Sequence, residues 1–198
     1  GRNKYVTALK YDAIDVASYA PLIQEIDKIT EGKLDVLVNN VGDALKRSSF
    51  ENSGMDLWQQ SIDINLMTVV RSTYAFLPFL RASGNGVVVN ISSIAGTTTG
   101  AGDSLHYGVT KAAVDVFTKG LAREMKDGKV RIVGVAPSAI DTDFQTRHSS
   151  AERLKTIVNQ TPIGRIGTPE EVANMVLFVA SSEASLISGE TILMTGGR

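Results

Sequence analysis

The sequence predicts an α/β fold, a doubly wound parallel sheet with helices on both faces, and three observations carry that reading. Short β-rich runs alternate with longer segments of helical period. The runs "LDVLV", "GVVVNI" and "VRIVGV" lack clean apolar/polar alternation, which suits strands buried on both sides. The residues just after these runs are polar, and open α/β sheets bind ligands beyond the carboxyl ends of their strands.

Taken in order, the first strand is expected at 5–10 and a helix at 18–30. A second strand, 34–39, leads to a long apolar-periodic helix at 55–82, then a third strand at 86–91. A helix over 104–126 connects to a fourth strand at 130–136. A polar stretch follows from 141 to 167, with one modest helical pattern near 151–159; long insertions of this kind are often functional lids. The helix at 169–181 is the best marked, with Thr168 as N-cap, Pro169 in first position and Glu171 as capping-box partner. The last strand is 190–194.

At 198 residues and 43% hydrophobic, the chain has the material for one sizeable core, and residues 1–198 read as a single domain. A net charge of −1 without basic stripes argues against nucleic acid and anionic membrane surfaces as partners. With no cysteine and two histidines far apart, His106 and His148, no metal site is expected. No apolar run approaches the roughly 20 residues that span a bilayer, and "GRNKYV" does not lead into a signal-peptide core, so the expected location is cytoplasmic.

The chemistry gathers at the strand ends. "NNVG" (39–42) follows the second strand, "SSIAG" (92–96) the third and "PSAIDT" (137–142) the fourth. On the helix after the serine pair, Tyr107 and Lys111 stand at i,i+4 and share one face. A lysine cation a few ångströms from a phenol favours the phenolate and lowers its pKa, which makes a tyrosine usable as an acid or base. Ser93 can hydrogen-bond a carbonyl oxygen on which charge develops. The reaction suggested is proton transfer to or from a carbonyl or alcohol oxygen. Each feature alone also has a bland reading. The Tyr/Lys spacing suits a surface pair, "NNVG" a turn and "NISS" a capped strand end. Asn65 suits a solvent-facing or internally satisfied amide, Asp12 and Asp15 a turn and an N-cap, and His106 a structural histidine. Their order and their placement at strand ends give them weight together.

In that order the motifs resemble the short-chain dehydrogenase/reductase family, from about Tyr5 to the C-terminus. "YDAID" is similar to the segment that meets the adenine, "NNVG" to the family's Asn-Asn-Ala-Gly, and Asn65 to the helix asparagine that orders a catalytic water. "NISS" resembles the catalytic-serine strand, "YGVTK" the Tyr-x-x-x-Lys signature, and "PIGRIGTPEEVANMVLFVASSEASLISGETILMTGG" the C-terminal end. The resemblance implies a Rossmann-like fold and hydride transfer between NADP or NAD and a small carbonyl or secondary alcohol substrate. It assigns Tyr107 as general acid/base, Lys111 as the residue that tunes it and binds the nicotinamide ribose, Ser93 as the carbonyl holder, and Asn65 as support for a proton relay toward Lys111. Asp12 and Ala13 would flank the adenine, and Asn39, Val41 and Gly42 would line the adenosine side. Pro137, Ile140 and Thr142 would complete the cofactor site, Ile140 and Thr142 holding the carboxamide and pyrophosphate. The implied assembly is a homodimer or homotetramer.

The sequence also departs from the family. No Gly-rich turn precedes Tyr5, so the first βαβ portion, strands 1 and 2, is missing, and "TTTGAGD" (97–103) is no substitute because it follows the serine strand. The expectation is therefore a piece of a longer protein, an incomplete Rossmann domain whose Tyr5 strand is parted from the rest of the sheet. Arg2, read as a remnant after the second strand, favours NADP through its 2′-phosphate. Ser138 replaces the usual glycine after Pro137, and Val41 replaces an alanine. A non-catalytic cofactor sensor or scaffold on the same fold is the alternative, favoured by the absent glycine loop. An enoyl reductase is disfavoured, since that branch separates tyrosine and lysine more widely. Substrate choice is assigned to 97–105 and 144–161.

Overall fold

A computed structural model describes residues 5–100 and 102–198. Arg2, and with it the NADP reading, lies outside the described residues. Four parallel strands form one sheet in the order β1 (Val36–Asn39), β2 (Gly86–Ile91), β3 (Val130–Pro137) and β4 (Thr191–Met194). Their register pairs Val38 with Val89, Val89 with Val133, and Val135 with Ile192. The expected fifth strand, 5–10, is a correction: these residues are exposed and take no part in the sheet. A strand is defined by a partner on which to satisfy its backbone, and no described strand lies beside this run.

Helices cover both faces, and alternate strand residues supply the two cores. On one side Val88 and Ile132 pack with Leu80 and Met125 under α3 (Thr68–Ser83) and α5 (Leu105–Glu124). On the other, Val87, Val89, Val133 and Val135 meet Val179, Met175 and Val176 of α8 (Pro169–Ala180). The non-alternating strand sequences follow from this two-sided burial. Gly134 in β3 is required where Thr191 of β4 crosses it, because a Cβ there would collide with the threonine side chain. The capping box of α8 forms as expected: Glu171 N–H donates to Thr168 Oγ1 at 3.4 Å and Thr168 N–H to Glu171 Oε2 at 2.8 Å.

The helix expected at 55–82 is three pieces. α2 (Phe50–Ile62) is kinked at Gly54, whose φ of 64° opens the regular segment at Met55. A π-helical turn (Asp63–Met67) with Asn65 at its centre then joins α2 to α3. α1 (Tyr19–Thr30) precedes the sheet, and the short α4 (Ala95–Thr98) follows β2. The polar stretch after β3 contains two helices, α6 (Asp143–His148), which periodicity missed, and α7 (Ala151–Gln160). Among the described residues no helix is long and apolar enough to cross a membrane.

Candidate active site

The floor of the site is built by close approach of α4 to α5. A Cβ on Gly108 would lie 2.8 Å from the Thr99 carbonyl carbon and 2.9 Å from Ala95 O, and one on Gly96 would lie 2.9 Å from Ala112 N. Two glycines thus let the helices touch, which brings Ser93, at the end of β2, to Tyr107, in the first turn of α5. Ser93, whose Oγ accepts from Ala95 N–H at 3.1 Å, lies close enough to the Tyr107 hydroxyl to act on its proton. One turn on, Lys111 is 3% exposed, its Nζ donates to Ile91 O at 2.9 Å, and it lies 5.8 Å from the Tyr107 ring centroid.

The electrostatics correct the expected tuning. Burial pushes the Tyr107 phenol up to about 12, a rise that Ser93 opposes and the Asp43 charge reinforces. Burial likewise drives Lys111 down to about 8, against the pull of Asp115. Desolvation is the largest influence on each group. At neutral pH Tyr107 therefore holds its proton.

Asn65 is wholly buried. Its Oδ1 accepts from Asp43 N–H at 2.9 Å, and its Nδ2 donates to Asp43 O at 2.9 Å and Ser61 O at 3.1 Å. The side chain thus clamps the loop after "NNVG". Gly42 is wedged between the two site residues: a Cβ on it would stand 2.8 Å from Asn65 Oδ1 and 3.1 Å from Lys111 Nζ. Asn39 also spends its side chain within the protein, donating to Thr73 (3.0 Å) and Asn90 (2.9 Å) and accepting from Ser72 (2.6 Å). It ties β1 to β2 and α3.

Asp12, Ala13 and Val41, with Tyr11 and Ile64, line an open depression of about 670 Å³. Pro137, Ile140 and Thr142 line a separate pocket of about 280 Å³ together with Ser93 and Tyr107. The structure thus brings Ser93, Tyr107 and Lys111 together, sets Asn65 and Gly42 behind them, and places the Asp12 segment at a second location. His106 is structural, its ring nitrogens 3.4 Å from Ser61 Oγ and 3.1 Å from Lys46 O.

Phe144, Arg147, His148, Arg153 and Asp103 fall in the segments 97–105 and 144–161 expected to choose substrate, whereas Asp43 and Arg47, their partners, carried no signal in the sequence. Phe144 of α6 stacks toward Tyr107, ring centroids 6.2 Å apart. Asp43 pairs with Arg147 and His148 of α6, both at 2.6 Å. Burial works to raise the Asp43 carboxyl, but the Leu45 amide, His148 and Arg147 together hold it below its usual value. Asp103 pairs with Arg47 at 2.8 Å and with Arg153 of α7 at 3.2 Å. These partners are about 50 to 104 residues apart in the chain, beyond the reach of any local pattern.

Comparison with known proteins identifies relatives of the chain and of its fold. The family model described as enoyl-(acyl carrier protein) reductase matches residues 2–198. The chain is 35% identical over 189 residues to the 3-oxoacyl-(acyl-carrier-protein) reductase FabG of Vibrio harveyi, covering 96% of this chain and 76% of that one. A 7α-hydroxysteroid dehydrogenase solved with NADH and 7-oxo glycochenodeoxycholic acid superposes with a TM-score of 0.88 at 27% identity, covering 96% of this chain and 73% of that one. A Brucella melitensis structure described as a short-chain dehydrogenase/reductase of the glucose/ribitol dehydrogenase type matches with a TM-score of 0.88 at 31% identity, over 96% and 75%. The chain spans about two thirds to three quarters of the length of the curated relatives it matches.

Proposed function

Because the chain belongs to the short-chain dehydrogenase/reductase family, we propose that residues 1–198 act within a dinucleotide-binding oxidoreductase domain that reduces a carbonyl compound with a nicotinamide cofactor. The observation that carries this reading is a protonated Tyr107 beside Ser93, one helical turn from buried Lys111 and at the wall of a pocket. The residues present fit the cofactor. Gly42 lets the chain after β1 lie against Asn65 and Lys111, where a Cβ would collide with both, and Asp12, Ala13 and Val41 line an open depression. Asp12, Ala13, Asn39, Val41 and Gly42 would hold the adenosine half, and Lys111, Pro137, Ile140 and Thr142 the nicotinamide half. When bound, the nicotinamide supplies or accepts the hydride.

The chain's own residues handle the oxygen. Ser93 donates to the carbonyl oxygen and fixes it beside Tyr107. As negative charge develops there, Tyr107 passes its proton to that oxygen, and an alkoxide is basic enough to take it from a phenol near 12. Lys111 stabilises the phenolate left behind. Asn65, held in the π turn, supports return of a proton toward Lys111. Reduction is the direction that a protonated phenol favours. The four-residue spacing of Tyr107 and Lys111 supports carbonyl rather than enoyl reduction. Homologous structures are described as holding NADH or NAD, and the choice between NAD and NADP is left to titration. Exposed Tyr74 and Val116, on α3 and α5, support homo-oligomerisation through these helices.

The test is calorimetric titration of the protein with NADH and NADPH, beside consumption of each over a panel of ketones. Micromolar binding that weakens in Lys111→Ala, and turnover that falls at least about 100-fold in Tyr107→Phe while binding persists, are the expected results. Binding without turnover of any ketone would favour the sensor reading instead.

A further inference from the structure

The pocket beside Tyr107 is lined by the side chains of Arg47, Arg153 and Arg198 and, among the described residues, by no Asp or Glu. Arg47 and Arg153 share a single acid, Asp103, so two guanidinium groups meet one negative charge and one positive charge is left over. Both side chains are about a quarter exposed, 25% and 27%, a half-desolvated setting in which a net charge is felt more strongly than in water. Arg47 is held rigidly, since its Nε also donates to His148 O at 2.6 Å. Its Nη2, and the Nε and Nη2 of Arg153, have no protein acceptor among the described residues. A guanidinium with free N–H groups in a fixed fork is a carboxylate receptor.

We propose that the substrate is a keto acid, with its carbonyl at Ser93 and Tyr107 and its carboxylate against Arg47 and Arg153. Apolar Ile94, Phe144 and Ile157 line the same pocket and suit a hydrocarbon spacer between the two polar ends. Arg153 belongs to α7 and Arg47 to the loop before α2, so an anion at this point draws the lid onto the body of the protein as it binds. The position assigned to the carbonyl rests on the reductase reading; the anion site itself does not.

The two are separated by measuring binding and turnover on the same ligands. Levulinate and its longer straight-chain methyl-ketone homologues, each beside its methyl ester, are titrated calorimetrically into the protein with NADH present. The best acid is expected to bind at least about tenfold more tightly than its ester, the worth of one charge-assisted contact. Arg153→Gln is expected to erase most of that preference and leave ester binding unchanged. Arg153→Gln leaves Arg47 and Asp103 as a neutral pair; Arg47→Gln does the same with Arg153 and Asp103 and is expected to show the same loss. Equal binding of acid and ester, no binding of any acid, or a preference that survives both variants overturns the proposal. NADH consumption with esters as fast as with acids sinks the keto-acid assignment and leaves the reductase reading standing. Tight, Arg153-dependent binding of acids without consumption overturns the substrate assignment and the reductase reading together and leaves the anion site standing.

Discussion

Lys111 is a lysine with its ammonium sealed inside the protein, and the folded chain holds it at about 8 against an ordinary 10.5. Above pH 10.5 the group is neutral in both folded and unfolded chains. As pH falls toward about 8 the unfolded chain takes up the proton first, so stability falls across that window and the penalty is complete below it. The stability gap by which Lys111→Met exceeds the wild type is expected to shrink by on the order of 3 kcal/mol between pH 7 and pH 10, read by urea unfolding. A gap that does not change with pH would show that Lys111 is charged in the fold. Tyr107 acts in the opposite sense, its contribution being present below 10 and lost as pH rises through about 12. Gly42 sets a second residue-scale test. Gly42→Ala places a methyl 2.8 Å from Asn65 Oδ1, and the neighbours have no room because Asn65 and Lys111 are each tied by hydrogen bonds. A loss of about 1–3 kcal/mol in urea unfolding, with NADH affinity falling alongside, is expected. The juxtaposition of Ser93, Tyr107 and Lys111 was legible because strand end and helix start are local signals. The sign of the Tyr107 shift was not, because it depends on desolvation, which only the packed structure reveals.

At the scale of elements, two carboxylates on the body hold the lid, Asp43 through α6 and Asp103 through Arg153 of α7. Asp43 reaches α6 through Arg147 and His148, while Asn65 fixes the Asp43 backbone from below. The same loop therefore connects the π turn, the lid and the field at Tyr107. Asp43→Asn keeps the shape and removes the charge. Amide exchange over 143–148 is expected to quicken by about fivefold, as loss of about 1 kcal/mol at a partly exposed pair requires. Substrate KM is expected to rise with it, while melting temperature stays close to that of the wild type. Unchanged exchange in α6 would show that Phe144 packing, not charge, holds the lid down. The sequence marked 141–167 as lid material from its polarity, and 151–159 nearly matches α7. It missed α6 because six residues are too few for a helical period to declare itself. It also over-read 5–10, whose β-rich composition says nothing of whether a partner strand stands beside it.

For the molecule as a whole, the sheet was legible from the strands outward, because two-sided burial removes alternation and Val-rich runs such as 86–91 display that directly. What periodicity does not reveal is which apolar residues the folded chain leaves in the open. Tyr74 on α3 is 84% exposed and Val116 on α5 is 72% exposed, on the two helices whose inner faces cover β2 and β3. A helix apolar on its outer as well as its inner side has two surfaces to bury, and a second copy of the chain can cover the outer one with a self-complementary patch. A charge placed there leaves the inner core untouched but must be desolvated on assembly. Val116→Asp and Tyr74→Asp are each expected to shift the protein to smaller species in sedimentation velocity, with far-UV circular dichroism unchanged. Since Tyr107 and Lys111 sit on the same α5 helix, NADH affinity is the companion readout. An unchanged sedimentation profile in both variants would place the outer faces of α3 and α5 outside any interface.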